Sequence, residues 1–240
     1  MTNSLRQLLA AFTGLALAGA IAMAQGDTST DKKDLVQQKV AAVKESIAQN
    51  QASLRQYTWT AHTVISVKGE VKNEKDESCR YGPDGKVVKT LTSAPPPEKQ
   101  MGRVKKRVVE KKVGEMKEYM ERAGELIRHY VPPSPENLTA AVKAGKADLS
   151  KNEAQAVQLQ FKDYYKPGDA MTLEFDPATK KLRKLSVSSF LDEEKDKVTL
   201  DVEFQSLPDG TNYVADTLLR ADAKQIAVKV QNLDYRKAGS

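Results

Sequence analysis

Val157-Gln158-Leu159-Gln160-Phe161-Lys162 and, after a short gap, Met171-Thr172-Leu173-Glu174-Phe175-Asp176 alternate apolar and polar residues without a break. A period of two places every second side chain on one face of a strand, so each segment predicts a strand with one apolar and one polar face. The pattern returns downstream in Leu185, Val187 and Leu191, in Val198, Leu200, Val202 and Phe204, and in Ile226, Val228 and Val230. Turn signals separate these runs at Pro167-Gly168-Asp169, from Asp176-Pro177 to Lys180, and at Pro208-Asp209-Gly210-Thr211. Consecutive strands joined by tight turns form an antiparallel sheet, and its apolar face must be covered by something else.

Upstream, the period changes to that of helices. Met101, Val104, Val108, Met116, Met120, Ala123, Ile127 and Tyr130 recur at helical intervals, predicting an amphipathic helix that Pro132-Pro133-Ser134-Pro135 ends. Gly102, Gly114 and Gly124 each weaken it by about 1 kcal/mol against Ala, so it needs a surface to lie on. A shorter helix follows over about 136–145. Before the long helix, Pro95-Pro96-Pro97 forms a rigid extended hinge. Residues 57–92 read as a three-strand meander opened by Tyr57-Thr58-Trp59-Thr60, with Trp59, Ala61, Ile65 and Val67 on one face and charged outer strands. Leu35, Val36, Val40, Val43, Ile47 and Leu54 mark a packing helix over about 32–55. The fold class expected is α+β: one strongly curved antiparallel sheet of roughly eight to ten strands, an incomplete β-barrel, with helices covering the concave face.

The N-terminus reads as an address. Arg6 precedes an apolar run from Leu8 to Ala24, about 17 residues and marginal for a membrane span, which ends in the small-x-small site Ala22-Met23-Ala24. Residues 1–24 are therefore expected to be a signal peptide and 25–31 a disordered leader. Cleavage removes Arg6 and lowers the formal charge from +6 to +5, and the expected location is periplasmic or secreted. The remainder, 32–240, reads as a single domain with a helical insertion at about 95–155.

These features together resemble the periplasmic LolA/LolB-type lipoprotein carriers: a signal peptide, an opening helix leading into Tyr57-Thr58-Trp59-Thr60, a helical insertion and a closing series of hairpins. The local likeness lies in Met171-Thr172-Leu173-Glu174-Phe175-Asp176, followed by Lys180-Lys181-Leu182-Arg183-Lys184-Leu185 and then Val198 to Phe204. The resemblance implies a half-barrel with a helical lid around an apolar cavity that holds acyl chains. The helix over 99–130 departs from it in being longer and more basic. Under this reading the ligand-binding residues are Trp59, Met101, Met116, Met120, Phe161, Leu173, Phe175, Val187, Val202 and Phe204, with the methionines able to repack around ligands of differing shape.

Composition narrows the chemistry. Hydrophobic residues make up 40% and charged residues 29%, the balance of a globular domain. Cys79 is the single cysteine and His62 and His129 the only histidines, which excludes an intrachain disulfide and a three-histidine zinc site. His62 reads as a solvated side chain among threonines, and His129 as a cation favourable at a helix C-terminus. Asp192, Glu193, Glu194 and Asp196 read as a charged hairpin turn and not as a calcium loop, because Lys195 and Lys197 interrupt them. No cofactor, metal or catalytic residue is expected. The basic run Arg103, Lys105, Lys106, Arg107, Lys111 and Lys112 reads first as a solvated helix face, balanced by glutamates further along, and second as a surface for anionic membrane headgroups. No aromatic residues interleave it, which argues against nucleic acid. The function expected is non-enzymatic carriage or binding of a hydrophobic ligand, lipoprotein acyl chains or lipid; the alternative is a structural or interaction protein with a packed core.

Overall fold

The computed structural model describes residues 50–93 and 103–238, apart from 154, 177 and 180. Expectations for the signal peptide, the leader, the helix before residue 50, the proline hinge and Met101 lie outside the described residues. Among the described residues, ten strands form one antiparallel sheet: β1 (Tyr57–Val67), β2 (Glu70–Tyr81), β3 (Val87–Leu91), β4 (Ala147–Lys151), β5 (Val157–Lys162), β6 (Ala170–Phe175), β7 (Leu182–Phe190), β8 (Lys197–Ser206), β9 (Asn212–Ala221) and β10 (Ile226–Lys237). Their order across the sheet is β3-β2-β1-β10-β9-β8-β7-β6-β5-β4. The chain thus builds two meanders, and the last strand closes against the first of the opening meander. Between β3 and β4 come two helices, α1 (Arg103–Ile127) and α2 (Pro135–Lys143).

The predicted strongly curved half-barrel is not formed. The sheet is flat and open, with β3 and β4 at opposite edges, and strands make substantial contact only with their hydrogen-bonded neighbours. One-sided alternation specifies which face is covered; curvature depends instead on stagger and on bulges, which the alternation does not encode. Register shifts interrupt the ladders at Thr58/Thr60, Ile65/Ser66, Glu174/Phe175 and Glu203/Phe204. Between them the pairing runs straight. The LolA-like architecture therefore falls, and with it the enclosed acyl-chain cavity that the resemblance implied.

The described helices cover the face they were expected to cover. Tyr119, Met120, Ala123, Leu126 and Ile127 of α1 are buried together with the apolar residues of β5 to β8. Of the predicted stripe, Met116 is half-buried and Met120, Ala123, Ile127 and Tyr130 are buried, whereas residues 111–115, which lie off it, are exposed, with Val113 at 46%. Ser134 caps α2 by accepting the N–H of Asn137 at 3.3 Å, and Pro135 occupies the first turn, where its missing N–H costs nothing. A helical turn at 50–54 is pinned to β9 by Asn50, whose side-chain amide donates to the Asn212 carbonyl and accepts the Asn212 N–H, each at 2.7 Å.

Two strands escaped the sequence reading. β4 is short, and only Ala147 and Leu149 on one face are apolar, each half-buried. In β9 the register shift opposite Glu203/Phe204 leaves both Val214 and Ala215 buried, and Asn212 and Thr217 also point inward. A bulge and two polar inward residues erase the period of two.

Candidate functional site

The register places Ala61 at the centre of a cross on the covered face. Trp59 and Thr63 lie two residues before and after it on β1, Asn232 of β10 is its partner on one side and Glu77 of β2 its partner on the other. Ala61 contributes a single methyl to this floor. All four surrounding side chains are buried, and each carries a polar atom with no hydrogen bond among the described residues: Trp59 Nε1, Thr63 Oγ1, Asn232 Oδ1 and Glu77 Oε2. Thr217 Oγ1 and Tyr235 Oη nearby are in the same condition, as is Lys75 Nζ apart from its ion pair with Glu77. The rest of each group is engaged. Asn232 donates its amide to the Val214 carbonyl at 3.0 Å, and Glu77 Oε1 pairs with the Lys75 ammonium at 2.7 Å.

A buried polar group without a partner costs about 1–3 kcal/mol, and folded proteins hold few of them. Here seven fall in one patch. Following a single row across the sheet shows how sharply the face changes: Leu159, Leu173, Leu185 and Val202 are succeeded by Thr217, Val230, Thr63 and Lys75. Along this row the covered face is apolar from β5 to β8 and polar from β9 to β2 except at Val230, while away from it β9 and β10 also bury apolar residues such as Leu219, Ile226 and Val228.

Aromatic rings wall the patch at the end where β1 begins. Trp59 stacks on Tyr235 with ring centres 5.4 Å apart and planes 8° from parallel, while Tyr213 and Tyr81 lie at 4.4 Å from Tyr235 and 5.5 Å from Trp59 respectively. Burial pushes the Tyr235 hydroxyl well above its ordinary value. Cys79 is the register partner of Trp59; burial pushes its thiol up to about 11, against a smaller opposing effect of Lys89, so it stays protonated and a poor nucleophile. Lys89 lies opposite Cys79, and burial lowers its pKa.

A second buried cluster has the opposite character. The Asp169 carboxylate accepts the backbone N–H groups of Tyr164 at 2.6 Å, Tyr165 at 3.2 Å and Lys166 at 2.8 Å, and the Tyr130 hydroxyl at 2.5 Å. Ser189 Oγ lies 2.9 Å from the Tyr130 hydroxyl. Gly168, at φ +85°, supplies the left-handed step that lets the loop fold around this carboxylate. Its partners are complete, so it is an anchor. His129 stacks on Tyr165 at 3.8 Å, and the acids of the β7–β8 turn hold α1 through Arg122–Asp192 and Tyr119–Asp196. On the uncovered face, a groove of about 490 Å³ over β7 to β10 is lined by charges that neutralise one another, with Lys184–Asp201 at 3.0 Å and Arg220–Asp201 at 3.7 Å.

Among the residues predicted to bind ligand, Trp59, Met120, Phe161, Leu173, Phe175, Val187, Val202 and Phe204 are buried in one contiguous core, and Met116 packs half-buried against it. Trp59 alone belongs to the Ala61 cross. Arg103, Lys105, Lys106 and Arg107 belong to the first turns of α1, and their side chains lie outside the described residues; Lys111 and Lys112 are exposed. His62 faces away from the cross, with Nδ1 2.8 Å from Asp76 and Nε2 3.6 Å from Glu74. Sequence reasoning missed Thr63, Lys75, Glu77, Thr217, Asn232 and Tyr235. The one available signal was that Lys75, Glu77 and Cys79 share a face of β2 through spacing by two.

No known protein family and no curated protein matches the sequence. Among solved structures, a DUF1329 family protein from Desulfovibrio piger is similar over 90% of this chain and 95% of its own, with 11% of residues identical and a TM-score of 0.39. A likeness of that size assigns neither family nor function.

Proposed function

We propose that this chain is an exported binding protein that works without catalysis and holds a small amphipathic molecule on the covered face of its sheet. The observation that carries the reading is the division of that face: apolar rows on β5 to β8 adjoin a patch of buried, unpartnered polar atoms around Ala61. A dry scaffold gains nothing from such atoms, whereas a ligand with an apolar body and a polar end satisfies both halves. The signal-peptide pattern supports export. Against catalysis stand a thiol kept protonated by burial and a His62 that faces away from the patch.

One observation favours a scaffold instead: eight of the residues predicted to line a cavity join a single buried core. Native mass spectrometry separates the two. Protein isolated without detergent from its own compartment is expected to carry an adduct that organic extraction removes, with a lower melting temperature afterwards. A bare polypeptide mass, with extraction leaving the melting temperature unchanged, would establish the scaffold.

A further inference from the structure

Resting on that reading, we infer that the polar end of the ligand is uncharged and both donates and accepts hydrogen bonds, as a hydroxyl-rich or amide head does, and that it seats over Ala61 between Trp59, Thr63, Glu77 and Asn232. The complement of unpaired atoms decides this. Trp59 Nε1 and the Lys75 N–H groups outside its ion pair can only donate; Asn232 Oδ1 and the second oxygen of the Glu77 carboxylate can only accept; the hydroxyls of Thr63, Thr217 and Tyr235 do either. An anionic head offers acceptors and leaves the two oxygens unmatched. An ammonium head offers donors and leaves the indole unmatched.

Charge points the same way. Lys75 and Glu77 are each about 6% exposed and neutralise one another at 2.7 Å, so a charged head would bring an unbalanced charge into a closed site. Burial disfavours the charged form of Lys89, which lies beside them. The seven atoms are sealed from solvent, so the ligand displaces what covers them and does not enter an open cleft. The methyl of Ala61 leaves the floor low between its two partners, and Trp59 stacked on Tyr235 offers a ring face at its side.

The test uses three probes with one alkyl chain and three heads: octyl β-glucoside, octanoate and octylammonium, each below its micelle concentration. Trp59 is the only tryptophan, so its emission reports the site directly, alongside titration calorimetry. The glucoside is expected to shift Trp59 emission and to bind at least tenfold more tightly than either charged probe. The double variant Lys75→Met/Glu77→Leu removes the ion pair without stranding one partner and should weaken glucoside binding at least tenfold. Thr63→Val, which removes only a hydroxyl, should weaken it severalfold and stands in should the double variant not fold. Tyr130→Phe, in the Asp169 anchor, should leave it unchanged. Equal or tighter binding of a charged probe, unchanged affinity in the variants, or no glucoside binding would overturn the inference. A native adduct beside such a result leaves the binding reading standing; a bare native mass removes both.

Discussion

Thr63 and Thr217 are threonines where an apolar core would place valine. Each is buried, each lies beside Val230 on β10, and each hydroxyl lacks a partner among the described residues. Removing an unsatisfied buried hydroxyl while keeping the shape of the side chain relieves its desolvation cost. Thr63→Val and Thr217→Val are therefore expected to stabilise the free protein by about 1 kcal/mol each in urea denaturation, the sign expected where stability is given up for function. A loss of stability in both would mean that the hydroxyls are satisfied and the patch is ordinary core. Neither threonine was legible as a site residue. Thr63 reads as one more β-branched residue in a strand, and only the register that sets it beside Lys75 reveals its setting.

At the scale of elements, α1 is held by polar anchors at the end where it packs. Tyr130, just beyond the helix, donates to Asp169, and burial together with that bond pushes its hydroxyl above its ordinary range. Tyr130→Phe should cost about 1–3 kcal/mol, because a buried bond to a carboxylate is lost. Thermal and urea denaturation measure this, and an unchanged stability would show that the backbone amides alone hold Asp169. The helix was plain in the sequence from its apolar spacing. Val113, which lies off that spacing, stands exposed. The acids Asp192 and Asp196 read as a turn, and a turn is where they lie; their bonds to Arg122 and Tyr119 join residues about 70 apart or more in the chain.

The whole molecule carries a linked set of acidic groups whose protonation opposes folding. A hydrogen bond from Tyr57 at 2.5 Å, with further bonds from Thr211, holds the Asp209 carboxyl far below its ordinary value of 3.8. Backbone N–H groups lower Asp163 and Asp176. At Asp201 burial pushes upward, and Lys184 and Ser186 outweigh it. Groups depressed in the folded state contribute stability that is fully present above the unfolded value and is lost as pH falls through the folded one. Stability should therefore be level above about pH 5 and fall from about pH 4 downward. Tyr57→Phe should flatten part of that fall by returning Asp209 toward its ordinary value. The partner effect lies at the other extreme: burial and then Asp209 push Tyr57 up to about 12, so its contribution holds below pH 10 and is lost between there and about 12. Urea denaturation across pH reads both limbs, and a pH-independent acid limb would refute the linkage.

What the sequence determined by itself was local. Alternation in Val157 to Phe161, Met171 to Phe175 and Val198 to Phe204 specified strands and the face they bury, and helical spacing with its prolines specified α1 and α2, since these depend on residues near in the chain. The tertiary structure decided the rest. Whether ten strands curl or lie open depends on stagger between neighbours, and the open order with β10 against β1 is a pairing of residues some 170 positions apart. The Ala61 cross is decided in the same way. Its members come from β1, β2 and β10, each unremarkable alone, and they meet because hydrogen-bond register sets distant residues side by side on one face.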